Sequence, residues 1–475
     1  MEMKNKMYRE HQSRLKLLPI LLIVVILLIV AAGIMSWKRW EGEAPVVRLN
    51  REFKALGRNP SVSLVVKDPR SGLKKLSVIL KQKDQAVSLV DEEYPGPTML
   101  KFWEPGEREQ KNFDLGKAIA EKWKIQEGPA TLEISAIDHS LRNFFRGNRA
   151  NLQREFVFDL HPPRLEVLSG QHYINQGGSE CVVYRVSPDA EVFGVQAGPN
   201  FFPGYPVAGG EKDLKFSLFA FAYNIDPKSV PKVMARDAAG NQAVAGFWYK
   251  LFPKKFRSSE IKIETNFLQK VVPEILSRTT EVQDQGDLLK NFLEINNKLR
   301  KLNHATITKL SKKSPQRFLW NGPFLQLSNS QVEALFADHR TYTYEGKVVD
   351  HQDHVGFDLS VVQQYPIESA NDGVVIYADY LGIYGNCVLV DHGYGLVSLY
   401  GHLSSIDVKP GQSVKKKQAL GRSGETGLAA GDHLHFGLFL QGVPINPTEW
   451  WDDHWIQDHI ALRFKPASSG TTAAQ

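Results

Sequence analysis

The chain has 475 residues, of which 42% are hydrophobic and 23% are charged, and its formal net charge is +6 at pH 7. This composition is ordinary for a globular protein, and the length exceeds a single hydrophobic core, so we expect three or more domains. The longest basic run is residues 415–417, and no basic stripe with interleaved aromatic residues occurs. The sequence therefore argues against a nucleic-acid partner.

The N-terminal region carries a candidate membrane segment. Residues 17–36 are uncharged and mostly apolar over about the length that crosses a bilayer. Five basic residues precede this run: Lys4, Lys6, Arg9, Arg14 and Lys16. This bias predicts a cytoplasmic tail at 1–16, a transmembrane signal anchor at 17–37 and export of the remainder. A cleaved signal peptide is the alternative, but the run is long for one, and its small residues at 31–33 lie inside it. We therefore expect a single-pass protein of the inner (cytoplasmic) membrane, with its C-terminal bulk facing the periplasm or the outside.

Two β modules are expected next along the chain. Residues 44–162 contain short runs with strand character separated by turn residues, and the Pro-Pro pair at 162–163 marks a boundary. Residues 163–255 form the second predicted module, with a closing strand at 242–251; many short strands at this spacing are typical of sandwiches. Residues 233–243 (VMARDAAGNQA) resemble the penultimate hairpin of bacterial immunoglobulin-like modules. Neither module contains a cluster that indicates chemistry, so we interpret both as spacers, with wall binding as the alternative.

The chain has two cysteines, Cys181 and Cys387. They lie far apart in sequence and neither belongs to a CxxC pair, so a disulfide between them is not expected. We predict that both are small buried apolar residues, which say little about the redox compartment.

A helical period is predicted for residues 258–315. Apolar residues recur there at helical spacing: Leu288, Leu289, Phe292, Ile295, Leu299 and Leu302. Asp284 or Asp287 is predicted to cap this helix, and Pro273 is expected to break or kink an earlier one. We interpret the segment as a helical linker whose amphipathic helices pack on their neighbours. A gate over a functional site and a seam for a dimer or a partner are the alternatives.

Residues 316–451 are predicted to form a compact, mostly antiparallel β domain. Its expected strands include 372–378, 385–392, 395–403 and 433–440. Residues 452–475 are expected to form a C-terminal extension, with a disordered polar tail from Ala467. The predicted fold is therefore multidomain and mainly β: an N-terminal transmembrane helix, two immunoglobulin-like β-sandwich modules, a helical linker and a C-terminal antiparallel β domain.

Five residues of this last domain have the chemistry of a metal site: His354, Asp358, His402, His433 and His435. Residues two apart on a strand point to the same face, so His433 and His435 can reach one point. His354 and Asp358 are four apart, which also keeps them on one side. Zinc in catalytic sites takes three protein ligands from His, Asp or Glu and keeps one position open. The set therefore supplies three ligands and leaves two histidines for proton transfer.

Several other histidines lack such a pattern. His351 precedes His354 closely, but we interpret it as a solvated loop residue. His392 is interpreted as a strand or site-rim residue. The structural histidines are expected to be His339, His454 and His459.

Three sequence blocks occur in order around the five residues: HVGFD at 354–358, YGHL at 400–403 and HLHF at 433–436. The connecting stretches DGVV, DHGYGL, VKPGQSV and INP accompany them. This pattern closely resembles the lysostaphin and LytM type of zinc peptidase, whose members cleave peptide bonds in bacterial peptidoglycan. The resemblance covers the C-terminal β domain and says nothing about residues 1–315. One departure is visible at 415–417 (KKK), a turn where relatives usually place a glycine.

The resemblance implies a zinc endopeptidase, and the signal anchor predicted from residues 17–37 would attach it to the membrane. The resemblance makes His354, Asp358 and His435 the ligands of one Zn²⁺ per chain, and His402 and His433 the catalytic pair. Zinc lowers the pKa of bound water and polarises a carbonyl, and a neighbouring histidine can take a proton because its pKa lies near working pH. The implied substrates are peptide cross-links of peptidoglycan stems, cut during cell-wall remodelling. Which histidine accepts the proton is left open.

Two other functions are weighed against the peptidoglycan endopeptidase. Non-enzymatic members of this family type activate another cell-wall hydrolase, but they typically lose one or more of the five positions, and this chain keeps all five. A zinc peptidase acting on an envelope protein is the other alternative. The helical segment could in either case serve a regulatory partner or a dimer.

Overall fold

The computed structural model describes most of the chain, namely residues 19–34, 36–96, 104, 106 and 109–464. Contacts divide it into two compact units. The first is Met1–Pro162 with Arg236–Gln242, and the second is Pro163–Ala235 with Ala243–Gln475. The predicted cytoplasmic tail and the predicted disordered tail from Ala467 lie outside the described residues.

The N-terminal apolar run is helical over residues 19–34. Its isoleucine, leucine and valine side chains are all exposed. Within the described residues, no helix combines the length and the hydropathy needed to cross a bilayer. Positions 17, 18 and 35 of the predicted span lie outside that part of the chain. A short 3-10 helix, Trp37–Arg39, follows.

The described part of the first unit contains two sheets whose strands pair antiparallel, except that Ala55–Leu56 pairs in parallel. Its five-stranded sheet has the spatial order Ala55–Leu56, Arg149–Phe158, Gly128–Asp138, Leu73–Gln82 and Gln85–Glu93. Its three-stranded sheet has the order Val46–Leu49, Ser63–Lys67 and Lys111–Asp114. The alternation of apolar and polar residues that predicts strands agrees with the burial of their side chains. On the strand Leu73–Gln82, every second residue from Leu76 to Leu80 is fully buried, namely Leu76, Val78 and Leu80.

Helical structure in the first β module, residues 44–162, was not expected from the sequence. Leu115–Lys122 is an α-helix capped by Asp114, whose carboxylate accepts a hydrogen bond from Lys117 N at 2.9 Å. A four-residue helical turn, Arg142–Phe145, follows the long strand. Both elements are too short to give a clear helical period in the sequence.

The second unit begins with paired four-stranded sheets. One has the order Tyr205–Pro206, Leu214–Ala220, Ser179–Val186 and Leu165–Val167. The other has the order Asn200–Pro203, Ala190–Ala197, Lys232–Asp237 and Gln242–Ala245. Large buried side chains, including Tyr184, Phe202 and Phe216, belong to their core.

The predicted closing strand at 242–251 is wrong in one respect, because it is two strands. Gln242–Ala245 ends before Gly246, and Tyr249–Phe252 pairs in parallel with His172–Asn175. Glycine weakens a strand interior, and here it lies where the chain moves from one sheet to another.

The predicted helical linker begins with a strand, which corrects the sequence interpretation. Ser258–Ile263 pairs in parallel with Asp338–Tyr344, which in turn pairs with Lys347–His354. Exposure along Ser258–Ile263 alternates residue by residue, so its period is two rather than 3.6. This strand matters for the site described below, because it forms one wall of the cleft.

Helices follow this strand. They are Thr265–Ser277, Leu288–Glu294, the π-helical Ile295–Leu299 and Arg300–Ser311. The last three are consecutive, and Asp287 caps them as predicted by accepting a hydrogen bond from Lys290 N at 2.9 Å. The expected break at Pro273 does not occur, because Thr265–Ser277 runs through it with Val271, Val272 and Ile275 buried.

The helical stripe packs against the C-terminal sheet. Phe292, Ile295 and Leu299 are buried in one cluster with Leu389 and Phe439 of that sheet. The stripe is therefore occupied by intramolecular contacts, as the packing interpretation predicts.

The C-terminal region is built on an eight-stranded antiparallel sheet. Its order is Gln331–Ala334, Phe357–Ser360, Leu434–Leu440, Leu396–Leu403, Asn386–Asp391, Gly373–Tyr380 and Ser413–Val414, with Val443–Ile445 also paired to Leu434–Leu440. A three-stranded sheet has the order Pro366–Glu368, Ala419–Arg422 and Ser405–Ile406. The helical elements are Gly382–Tyr384, Pro447–Trp451, Asp453–His459 and Ala461–Phe464.

Two small predictions about side chains can be checked here. Cys181 and Cys387 are both free and buried, as predicted. In the KKK turn, Lys417 has a φ of 69°, in the left-handed region that favours glycine. This backbone conformation is the physical reason a glycine suits the turn, and exposed Lys417 occupies it instead.

Glu449 is buried on the helix Pro447–Trp451, beside Asn175 and Ser179 of the second unit. Its Oε1 accepts a hydrogen bond from Asn175 Nδ2 at 2.9 Å, and its Oε2 accepts one from Ser179 N at 2.8 Å. Burial raises the pKa of this carboxyl from 4.5 to about 7. Because the folded-state pKa lies above the unfolded one, the folded protein keeps a proton that the unfolded chain has lost, and stability falls as pH rises through that interval.

We expect Glu449→Gln to reduce the fall in melting temperature between about pH 5 and pH 8, because glutamine does not titrate. Between pH 5 and pH 8, the free energy of unfolding of the wild-type protein should fall by on the order of 2 kcal/mol more than that of Glu449→Gln. Thermal unfolding of both proteins across this range measures it, with exposed Glu368→Gln as the matched control. Parallel pH profiles for Glu449→Gln and the wild-type protein would refute the assignment.

Candidate metal centre

Three of the predicted site residues meet at the end of the C-terminal sheet. His354 ends the strand Lys347–His354, and Asp358 and His435 are register partners on adjacent strands. His354 Nε2 lies 2.9 Å from Asp358 Oδ1 and 3.0 Å from His435 Nδ1. His435 Nδ1 lies 2.9 Å from Asp358 Oδ1. The three potential metal-ligand atoms therefore form a nearly equilateral triangle.

The donor set fits a metal ion. Ligand atoms bonded to a tetrahedral zinc ion at about 2.0–2.1 Å lie roughly 3.3 Å apart, within a few tenths of the separations found here. His354 Nδ1 lies 3.0 Å from the Leu335 carbonyl oxygen, so its N–H donates there and Nε2 is left with a lone pair. Metal-binding histidines commonly have such a partner on the other ring nitrogen. His354, Asp358 and His435 form one of the groups in the described chain with metal-binding spacing.

The electrostatics of the cluster favour an ionised Asp358 together with neutral His402 and His435. Burial alone would raise the pKa of Asp358, but the charge and hydrogen bonds of His354, with those of His433 and His435, hold it well below its usual range. Burial lowers the pKa of His435 to about 4 and lowers that of His402 well below its ordinary value. Burial would also lower the pKa of His433, but its contact with Asp358 raises it. Neutral imidazoles beside a carboxylate are the protonation states that bind a divalent cation.

The other two predicted residues lie beside the triad. His402 Nδ1 is 2.8 Å from the Thr426 carbonyl oxygen, and His433 Nδ1 is 2.8 Å from the Gly431 carbonyl oxygen. Each Nδ1 therefore carries the proton that it donates, and Nε2 is the second nitrogen of each ring. His433 Nε2 lies 3.5 Å from Asp358 Oδ1. The two rings have centroids 4.8 Å apart, and His402 is 5.8 Å from the ring of His435. The structure thus brings all five predicted residues together.

His402 has a backbone φ of 63°, in the left-handed region. A non-glycine residue there is strained, and such strain is often found at functional sites. It is buried on the strand Leu396–Leu403, with only 6% of its surface exposed.

The five residues open onto a cleft of about 620 Å³. Its walls include residues from the parallel strand and from the helices, namely Ser259, Glu260, Ile261, Phe267, Phe292 and Arg300. The helical segment therefore lines the cleft, while its role as a gate stays a prediction. Trp320 packs on Trp450 with ring centroids 5.4 Å apart and is not among the residues that line the cleft.

Two other histidines discussed from the sequence, His351 and His392, lie apart from the five site residues. His351 is exposed, but the interpretation of it as a loop residue is wrong, because it lies on the strand Lys347–His354. His392 is fully buried, with its ring nitrogens 2.7 Å from the Asp372 carbonyl oxygen and from Ser398 Oγ, so it is a core residue and not a rim residue.

Sequence reasoning missed Arg340. Its Nη2 donates to Asp358 Oδ2 at 2.9 Å, on the side opposite the oxygen that faces the triad. The next carboxylate, Asp338, is buried and accepts hydrogen bonds from Ser259 Oγ at 2.8 and 2.9 Å. Arg340 lies on the strand preceding the HVGFD block, so only the pairing of that strand could have revealed it.

Arg340→Met is expected to weaken metal binding by roughly 10- to 100-fold, because partners that orient a ligand have effects of that size. Arg340→Lys should restore part of the affinity. Competition with a chelating indicator measures the dissociation constant without any substrate, and exposed Arg317→Met is the control. Equal affinity in Arg340→Met and the wild-type protein would show that Arg340 does not orient Asp358.

Comparison with known proteins agrees with this geometry. Residues 352–447 match the model of peptidase family M23. These residues form a peptidase M23 domain. They include all five site residues but neither Arg340 nor Ser259.

The M23 domain has named relatives. An uncharacterized metalloprotease of Haemophilus influenzae is 32% identical over 147 residues, which is 31% of this chain and 28% of that protein. The peptidoglycan DD-endopeptidase ShyA of Vibrio cholerae is 34% identical over 119 residues, which is 25% of this chain and 27% of that protein. The chain thus spans little more than a quarter of these relatives' lengths.

Among solved structures, a mutant catalytic domain of the prophage-encoded M23 protein EnpA from Enterococcus faecalis is 26% identical. It covers 27% of this chain and 95% of that domain, with a TM-score of 0.22.

Proposed function

We propose that this protein is a membrane-anchored zinc endopeptidase that hydrolyses peptide cross-links of bacterial peptidoglycan during cell-wall remodelling. The observation that carries the proposal is the triangle of His354 Nε2, Asp358 Oδ1 and His435 Nδ1 with two further histidines beside it. Relatives of the M23 domain named as peptidoglycan DD-endopeptidases support the substrate class.

Zinc suits this set of two histidines and one carboxylate, since catalytic zinc sites hold three such ligands and one open position. When bound, it would polarise the scissile carbonyl and lower the pKa of a water molecule. The chain's own contribution is to hold the three donor atoms in place and to exclude bulk water, because His354 and His435 are almost fully buried.

His402 and His433 would carry the proton transfers. Both rings are fixed through Nδ1 to backbone carbonyl oxygens, so both present Nε2. In hydrolysis, one imidazole accepts the proton of the attacking water, and the other donates to the tetrahedral oxyanion or to the leaving amine. Because both rings donate their Nδ1–H to a backbone carbonyl, Nε2 of a neutral ring can only accept a proton, and the ring that donates must be the protonated imidazolium.

The N-terminal helix supports a tether at the membrane. Its exposed isoleucine, leucine and valine side chains need an apolar cover, and five basic residues precede it in the sequence. We propose the inner membrane as its location, with the remainder facing the periplasm or the outside. The two β modules, which we propose are immunoglobulin-like, would then act as spacers that limit the reach of the M23 domain.

The test is incubation of the full chain, in detergent, with purified peptidoglycan, followed by mass spectrometry of the released peptides. New amine and carboxyl termini that disappear with EDTA and in His402→Ala would establish the endopeptidase and identify the bond. A zinc-loaded protein that releases nothing would refute the proposal. In that case, stimulation of another wall hydrolase or cleavage of an envelope protein would become the functions to assay.

A further inference from the structure

Arg300 is a cation in the wall of the cleft without a counter-ion. It begins the helix Arg300–Ser311, is half-buried and lines the same cleft as His354, Asp358 and His435. Arg340, another arginine that lines the cleft, forms a salt bridge with Asp358, whereas Arg300 forms no salt bridge with any described residue. A partly buried guanidinium without an anion is costly unless something else satisfies it.

The guanidinium group of Arg300 is held in place. Its Nε donates to the Asn296 carbonyl oxygen at 3.1 Å and its Nη2 donates to Asn296 Oδ1 at 2.5 Å. Asn296 is itself fully buried and fixed by donating from Nδ2 to Asp350 Oδ2 at 2.7 Å. Within the described chain, Nη1 makes no hydrogen bond, so Arg300, which lines the cleft, keeps a donor for a ligand.

Arg300 also lies close to the metal-binding triad. One helical turn later, His304 Nε2 is 2.8 Å from the hydroxyl oxygen of Tyr384, and the ring of Tyr384 lies 5.4 Å from that of His435. Residues four apart on a helix share a face, so Arg300 and His304 lie on the same side. Two side chains, His304 and Tyr384, therefore link the helical face of Arg300 to the predicted metal ligand His435.

From this placement we propose that Arg300 binds a free carboxylate of the peptide substrate next to the scissile bond. The proposal rests on the proposed function, and it narrows the substrate to cross-linked peptides that keep a free acid there. Peptide stems of peptidoglycan carry such carboxylates beside their amide bonds. Phe292, Ile261 and Tyr384 line the same cleft, and an apolar surround strengthens a charge-assisted hydrogen bond.

The test uses two synthetic cross-linked peptides that differ only in the carboxyl group nearest the scissile bond, a free acid in one and a primary amide in the other. Binding of both peptides to the metal-free full chain, which does not turn them over, is measured by calorimetry. The wild-type protein should prefer the acid by roughly 10- to 100-fold, the range expected for a hydrogen bond to a charged group. Arg300→Met should lose this preference, and Arg300→Lys should keep part of it.

Lys301→Met is the matched control, because Lys301 is an exposed cation on the same helix and outside the cleft lining. It should bind both peptides as the wild-type protein does. Equal binding of acid and amide by the wild-type protein, or an equal loss of both in Arg300→Met, would overturn the carboxylate site. Cleavage by the zinc-loaded protein is scored separately, so failure of the peptidase proposal would be distinguished from failure of this one.

Discussion

Asp358→Ala is expected to abolish metal binding and peptidase activity together. Asp358 Oδ1 lies 2.9 Å from both predicted histidine ligands, so its removal leaves two donors where a catalytic zinc site has three. A catalytic metal stabilises the transition state by several kcal/mol. Since about 1.36 kcal/mol of activation free energy changes the rate tenfold, loss of the metal should lower the rate by roughly 1,000-fold or more. Metal content after dialysis and peptide release from peptidoglycan are the two measurements.

The same substitution has a predictable effect on stability. It removes the hydrogen bond from Arg340 Nη2 to Asp358, while Arg340 Nε keeps Asp338 Oδ2 at 3.7 Å. The loss of one hydrogen bond to a charged group costs about 1.5–3 kcal/mol. Asp358→Asn separates the two effects, because it keeps an oxygen for Arg340 while removing the negative charge at the metal. His351→Ala, an exposed histidine three residues before His354, is the control. Full zinc occupancy in Asp358→Ala would contradict the ligand assignment.

His402→Asn is expected to lower kcat by roughly 10²- to 10⁴-fold while leaving metal content unchanged, because general acid–base catalysis contributes that much. Asparagine is preferable to alanine here. The φ of 63° at His402 is costly for most residues, but asparagine adopts it more readily, so a loss of activity would reflect lost chemistry and not lost folding. Steady-state kinetics and zinc analysis on the same preparation provide both readouts.

His454→Asn is the control for that experiment, because the side chain of His454 is 92% exposed and lies outside the cleft lining. It should match the wild-type protein in kcat and in zinc content. If His402→Asn kept more than about a tenth of the wild-type kcat, proton transfer by His402 would be excluded, since the smallest expected effect is about 100-fold.

The residues of the metal centre could be predicted because their signals are local. His354 and Asp358 are four apart, and His433 and His435 are two apart, so spacing alone places each pair on one side. The same short-range logic predicted the Asp287 cap, which depends on only three following residues. Conversely, nothing in the sequence near Arg340 indicates Asp358, since the contact joins residues 18 apart through strand pairing.

Long-range pairing also explains the larger errors. Ser258–Ile263 has an alternating pattern too short and polar to stand out beside a helical region, and its register partners lie 81 residues later in the chain. Pro273 was expected to interrupt its helix, but burial of its neighbours Val272 and Ile275 offsets the lost hydrogen bond. In both cases tertiary contacts outweighed the local preference of the chain.

The parallel strand Ser258–Ile263 decides where a usable fragment of this protein can begin. A fragment starting at Gln316 would retain every residue that matches the M23 family, yet it would expose the backbone N–H and C=O groups of Asp338–Tyr344 along a bare sheet edge. Such an edge recruits strands from other molecules, so the shortened protein should self-associate and precipitate. Crystallisation or inhibitor screening therefore calls for a fragment that begins before residue 258.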